Sequence, residues 1–144
     1  MTRFDLFAED ALYGTQGFYT QIGTAGTDGA DFVTSPETSP LFGACVAAYL
    51  DQVWHDMECP DPFVVIEGGS GTGTLCRDIF LSAQDCSKAL RYVMVERAER
   101  QREIAFSRVT TTCFTDSEEV PLAVLKDLPA GPFTGVVVAN ELLD

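Results

Sequence analysis

Two hydrophobic periods alternate along the chain. Phe63-Val64-Val65-Ile66 is apolar at every position, the pattern of a strand buried on both faces of a parallel sheet, and it ends in Glu67 and the turn Gly68-Gly69-Ser70-Gly71-Thr72-Gly73. Beyond the turn, Leu75, Ile79, Phe80 and Ala83 recur at helical spacing, with Arg77, Asp78 and Ser82 between them. Residues 90–96 predict a second strand ending in Glu96, residues 98–107 a polar helix, residues 109–114 a third, half-buried strand, and residues 135–139 a fully buried one. Upstream, Phe4, Phe7, Ala8, Ala11 and Leu12 give residues 4–13 one apolar side. Ser39-Pro40 starts a second helix (a hydroxyl at the N-cap, proline in the first turn) that carries Phe42, Val46, Leu50, Val53, Trp54 and Met57. Between these helices lies a glycine-rich stretch, 14–39, with Phe18, Tyr19, Phe32 and Val33 embedded in it. So long a loop with aromatics predicts a lid packed over something. Strands alternating with helices predict an α/β fold with a parallel sheet.

A strand, a glycine turn and a helix bring backbone N–H groups and a helix N-terminus to a nucleotide-like ligand. A phosphate-gripping P-loop needs Lys after its last glycine, but Thr74 stands there and the lysines are Lys88 and Lys126. A dinucleotide fingerprint counted from Gly69 would put its third glycine at Thr74. The spacing is instead E-x-G-x-G-x-G, through Glu67, Gly69, Gly71 and Gly73, the form used by Rossmann-like S-adenosylmethionine (SAM) methyltransferases. A plain linker would lack the flanking strand and helix. Glu96 lies 23 positions after Gly73, near the roughly 20 expected for the acid that accepts from ribose hydroxyls. An ionised carboxylate accepts only and can take both hydroxyl protons; the alternative is a solvent-facing carboxylate at a strand end. Asp116-Ser117-Glu118-Glu119 offers groups for an adenine edge, or is a solvated turn. Ligands of open α/β sheets sit at the carboxyl ends of strands near the switch point, which places Asn140 and Glu141 beside the glycine turn and Glu96.

Net charge narrows the partners. At −13, the chain repels a phosphate backbone and disfavours nucleic acid; basic protein segments suit it better. No apolar run approaches the roughly 20 residues of a membrane span, and the first residues lack a signal or transit pattern, so a cytoplasmic setting is expected. The five cysteines contain no C-x-x-C pair, which predicts reduced, mostly buried thiols. His55 is the lone histidine, beside Trp54. With no nucleophile marked near it, it reads as structural, and a His- or Cys-based metal cluster lacks ligands.

Three blocks resemble the MidA-like SAM-dependent methyltransferases, relatives of the mitochondrial complex I assembly arginine methyltransferase. The first is Ala11-Leu12-Tyr13 with Gly17-Phe18-Tyr19, Asp31-Phe32-Val33-Thr34-Ser35-Pro36-Glu37 and Pro40-Leu41-Phe42-Gly43; the second is the glycine turn with Thr74-Leu75; the third joins Val95-Glu96 and Gln101 with Ala139-Asn140-Glu141-Leu142 and Asp144. The resemblance implies a Rossmann-like class I methyltransferase sheet of seven strands, SAM as cofactor and a protein substrate, with arginine as acceptor. By position, Glu67 would support the turn, Gly69, Gly71 and Gly73 (with Thr74) would line the methionine end, and Glu96 would hold the ribose. Glu37, Asn140 and Glu141 would sit at the methyl-transfer site, with Asp144 a further carboxylate. Residues 1–58 form an N-terminal extension of helices and lid-like loop, and 59–144 the N-terminal half of the SAM-binding domain. The sheet is then incomplete on its C-terminal side, and residues 135–139 form an open apolar edge that self-association or a further portion of the protein would cover. The rival readings are a non-catalytic SAM-fold assembly partner and an NAD-dependent oxidoreductase.

Overall fold

The computed structural model describes residues 3–21, 34–82, 84–115 and 120–142. Four strands form one parallel sheet: β1 (Phe63–Gly68), β2 (Leu90–Val95), β3 (Leu122–Leu125) and β4 (Gly135–Ala139). Their order is β3-β2-β1-β4. The register pairs Val65 with Tyr92 on one side of β1 and with Val136 on the other. Direction of travel reverses beside β1, which makes the carboxyl ends of β1 and β4 the switch point.

Helices precede and link these strands: α1 (Phe4–Tyr13), α2 (Phe18–Gln21), α3 (Ser35–Thr38), α4 (Pro40–Asp56), α5 (Thr74–Leu81) and α6 (Glu99–Cys113). α4 begins as expected, with the Ser39 hydroxyl accepting from the Leu41 amide at 3.2 Å. Side chains alternate across a strand, and one face of the sheet carries Phe63, Val65, Leu90, Tyr92 and Met94. These are packed against Ala47 and Leu50 of α4, Leu75, Cys76 and Ile79 of α5 and Ala105 and Val109 of α6. Arg91, Ala123 and Val137 point to the opposite face and are exposed, Val137 by 57%.

Three expectations change. Residues 109–114 are no strand: α6 runs on to Cys113, and the third strand is Leu122–Leu125. The Thr110 and Thr111 hydroxyls donate within the helix to the carbonyls of Phe106 and Ser107, both at 2.7 Å, while Ala105 and Val109, four apart, are buried together. Tertiary packing has overridden β-branched propensity. The apolar side of α1 has no buried residue, and Phe4 and Phe7 are exposed. Two of the five free thiols, Cys45 and Cys59, are exposed rather than buried. β4, as expected, is an edge that pairs with β1 alone among the described strands. Within the lid-like stretch α2 and α3 are short helices; residues 22–33, with Phe32 and Val33, lie outside the described residues, as do Asp116–Glu119 in the adenine-edge expectation (116–119) and Asp144.

Candidate functional site

A cleft of about 380 Å³ opens at the carboxyl ends of β1 and β4, within the roughly 300–1,000 Å³ of small-molecule sites. Its wall combines the glycine turn and Glu96 with Thr34, Pro36 and Glu37 at α3, Asn140, Glu141 and Leu142 after β4, and Tyr13 and Tyr19 at the N-terminal helices.

The turn and the ribose candidate are bonded to each other. The Gly71 amide donates to Oε2 of Glu96 at 3.0 Å, and the Ala98 amide donates to Oε1 at 2.8 Å. The amides of Gly69 and Ser70 both donate to the carbonyl of Val95, at 2.9 and 3.2 Å. The glycine turn is thus laced to the end of β2. Each carboxylate oxygen of Glu96 keeps acceptor capacity for a ligand hydroxyl.

The three glycines differ. Gly69, Gly71 and Gly73 all have positive φ, where glycine carries no steric penalty. A side chain on Gly71 would meet nothing within 4 Å, one on Gly69 would strike Leu142, and one on Gly73 would press on Ala105 and Met94. Gly73, expected at the methionine end, is not among the residues lining the cleft, and its lack of a side chain lets α5 and α6 approach. Thr74, the first residue of α5, does line the cleft. Arg108, on α6, donates to the hydroxyls of Thr72 and Thr74 at 2.7 and 2.9 Å, bracing the turn from behind.

Glu67 lies at the floor, 5% exposed. Its Oε2 accepts from the Tyr92 hydroxyl of β2 at 3.0 Å. Burial, and to a smaller degree the charge of Glu96, push its pKa up to about 8 against the opposing Tyr92 hydrogen bond. A carboxyl whose folded pKa exceeds its unfolded value stabilises the fold in its neutral form, so stability present at acid pH is lost as pH rises toward 8. Glu67→Gln, neutral at every pH, is expected to flatten that decline between pH 5 and 8.5, a difference on the order of a few kcal/mol. Urea midpoints across the range check this; parallel pH profiles for both proteins would exclude it.

At the other end of the cleft, chain segments 106 residues apart meet. The Ser35 hydroxyl donates to Oε1 of Glu141 at 2.9 Å, so α3 and the residues after β4 share one wall. Glu141 itself adopts φ 53, a left-handed position uncommon for a non-glycine residue. Oε2 of Glu37 and the hydroxyl of Ser70 are buried without a partner, and both residues line the cleft. Burial raises the pKa of Glu37. Unpaired polar atoms are costly, and these two fit a ligand that brings hydrogen-bonding groups to both places. Of the cofactor and catalytic candidates read from the sequence, Glu67, Gly69, Gly71, Thr74, Glu96, Glu37, Asn140 and Glu141 line this cleft, Gly73 does not, and Asp144 and residues 116–119 lie outside the described residues.

His55 lies elsewhere, its side chain 50% exposed. Its Nδ1 is 3.5 Å from the Cys59 thiol and its Nε2 3.3 Å from Asp85, so a thiol does lie beside it. None of the three lines the cleft. Among the described residues, no group of three His, Cys, Asp or Glu is placed to hold a metal ion, and no helix is long and apolar enough to cross a membrane.

The chain is similar to known proteins. A family described as "Putative S-adenosyl-L-methionine-dependent methyltransferase" matches residues 45–144, more than half of the chain. The mitochondrial protein arginine methyltransferase NDUFAF7 homolog of Drosophila melanogaster is 44% identical over 63 residues, covering 44% of this chain and 14% of that protein. Human mitochondrial protein arginine methyltransferase NDUFAF7 is 30% identical over 112 residues, 74% of this chain and 24% of that one. A crystal structure of a Burkholderia thailandensis protein bound to S-adenosyl-homocysteine superposes with a TM-score of 0.71 at 30% identity, covering 99% of this chain and 37% of that one. The chain thus spans about a quarter or less of these curated relatives. A parallel sheet in the order β3-β2-β1-β4, a glycine turn joined to the β2 acid and the family match together place the chain in the MidA-like family of S-adenosyl-L-methionine-dependent methyltransferases.

Proposed function

We propose that the cleft binds SAM and serves methyl transfer to a protein side chain, with arginine as the acceptor class. The observation that carries this reading is the Gly71–Glu96 hydrogen bond, which joins the glycine turn and the sugar-binding candidate in one cavity with Glu37 and Glu141. Glu96 accepts from the ribose hydroxyls, Gly71 leaves room for close backbone approach, and Ser70 with Glu67 faces the amino-acid end. When bound, SAM supplies a methyl group on a sulfonium that departs as a neutral thioether. What remains for the protein is positioning. Glu37 and Glu141 orient the acceptor guanidinium through charge-assisted hydrogen bonds, and one of them takes the proton that nitrogen loses as its new bond to carbon forms. The relatives named as arginine methyltransferases support this choice of acceptor. Their names also read mitochondrial.

Titrating the protein with SAM and NADH in parallel tests the cofactor: saturable binding of SAM alone is expected, and binding of NADH alone would restore the oxidoreductase. Glu141→Gln is expected to lower methyl transfer to an arginine peptide about 100-fold with SAM affinity within twofold of wild type. A matching loss of SAM affinity would move Glu141 to the cofactor. SAM binding without transfer by the wild-type protein would favour the assembly-partner reading.

A further inference from the structure

The N-terminal helices contribute a wall to the cleft that the glycine turn and Glu96 do not account for. Tyr13, the last residue of α1, and Tyr19, in α2, both line it. Their rings stack with centroids 5.5 Å apart, and Phe18 meets Tyr19 edge-on at 5.1 Å. The Thr20 hydroxyl donates to the Tyr13 carbonyl at 3.2 Å, closing α2 onto α1. This aromatic unit has a dedicated anchor. The guanidinium of Arg97 lies 4.4 Å from the centre of the Tyr13 ring, and its two terminal nitrogens donate to both carboxylate oxygens of Glu9, at 2.9 and 2.5 Å. Planar bidentate pairing of this kind fixes orientation as well as contact.

Arg97 directly follows Glu96, so consecutive residues at the β2 terminus face the candidate sugar site and the N-terminal helix. α1 buries none of its own residues, and apolar packing does not explain why it is held there. The tyrosines lie toward the Glu96 end of the cleft, because Arg97, whose guanidinium covers the Tyr13 ring at 4.4 Å, is the residue next to Glu96. A flat aromatic surface beside a carboxylate that accepts from a sugar is the complement of a nucleoside, since every base presents a π-face.

We infer that Tyr13 and Tyr19 form the wall against which the adenosyl group packs, and that Arg97 and Glu9 are positioning residues that hold this wall over Glu96. The inference rests on the SAM reading of the cleft and extends it to the N-terminal helices, which the glycine motif does not reach. Both residues of the anchor lie outside the cleft and touch the ligand only through Tyr13.

SAM titrations and the S-adenosylhomocysteine complex test it. Tyr13→Leu is expected to weaken SAM binding about tenfold while Tyr13→Phe, which keeps the ring, stays within twofold of wild type. Arg97→Gln is expected to weaken it about fivefold, and adding Glu9→Gln should bring little further loss, because the two act as one unit. In the wild-type complex, adenine and ribose H1′ protons should show NOEs to the rings of Tyr13 or Tyr19, a readout that no variant's folding can obscure. Wild-type SAM affinity in folded Tyr13→Leu, or an S-adenosylhomocysteine complex without those NOEs, would overturn the wall and leave the cofactor reading intact. A wild-type protein that binds no SAM would overturn both.

Discussion

Gly71→Val is expected to abolish SAM binding, with affinity falling at least 100-fold, while the protein stays folded. Gly71 has φ +52, and a side chain there would meet no protein atom within 4 Å. The fold therefore has space for the new side chain, and that space is the cleft itself. A β-branched residue in the left-handed region costs about 1–2 kcal/mol, and any tilt of the peptide also weakens the Gly71 amide's bond to Glu96. Loss of binding should accordingly exceed loss of stability. Gly73→Ala is expected to behave in the opposite way, because its added carbon would sit 3.1 Å from Cβ of Ala105, behind the turn. Isothermal titration of both variants alongside thermal melts separates the two effects. Gly71→Val binding SAM like wild type would place the ligand elsewhere.

Gly135→Ala is expected to cost more stability than the same change at Gly69, Gly71 or Gly73. An added Cβ would lie 1.8 Å from the carbonyl oxygen of Val64 and 2.8 Å from its nitrogen, and Val64 is the residue paired with Gly135 at the start of the β1–β4 ladder. Backbone, unlike a side chain, cannot rotate away, so β4 must separate from β1 at that end. A loss of about 3 kcal/mol, or roughly 10 °C in Tm, follows. Asn140 and Glu141 come directly after β4, so methyl transfer should decline even at temperatures where the variant remains folded. A melting temperature within a degree of wild type would show that the strand does not approach so closely.

Much of the fold is legible in the sequence because apolar runs have little choice. β1, β2 and β4 are apolar stretches broken only by Arg91 and ended at Glu67-Gly68, Glu96 and Asn140, and α4 announces its start with Ser39-Pro40. The third strand is misplaced for a physical reason: Val109-Thr110-Thr111-Thr112 has strand propensity, yet the Thr110 and Thr111 hydroxyls find partners within α6 and Val109 is buried four residues after Ala105 on the same side. The true β3 is four residues long and too short to stand out. At the site, the turn and Glu96 are visible as spacing, whereas the groups that brace them are not. Arg108 reaches back 34 and 36 residues to Thr74 and Thr72, and Ser35 meets Glu141 across 106; no local pattern encodes such contacts. Tyr92 was within reach. Alternation along β2 puts it on the same side as Leu90 and Met94, and a buried tyrosine hydroxyl needs a partner, which Glu67 provides from the adjacent strand.

The same logic separates the glycines. All three follow from the motif, but only the packing around each separates Gly71, where an added carbon would meet nothing within 4 Å, from Gly69 and Gly73, where it would press on Leu142 or on Ala105 and Met94. Gly43 is a further case of the second kind: an added carbon would lie 2.4 Å from Cβ of Asp78, so α4 can rest directly on α5, the helix that follows the turn.

Most of the account depends on where the sugar of a bound adenosyl ligand lies. A structure of the protein with S-adenosylhomocysteine measures this directly. We expect both ribose hydroxyls within hydrogen-bond distance of the Glu96 carboxylate and the chain of the ligand passing over Gly71 toward Glu67 and Ser70. A ribose remote from Glu96, or a ligand seated outside the cleft at the ends of β1 and β4, would contradict it.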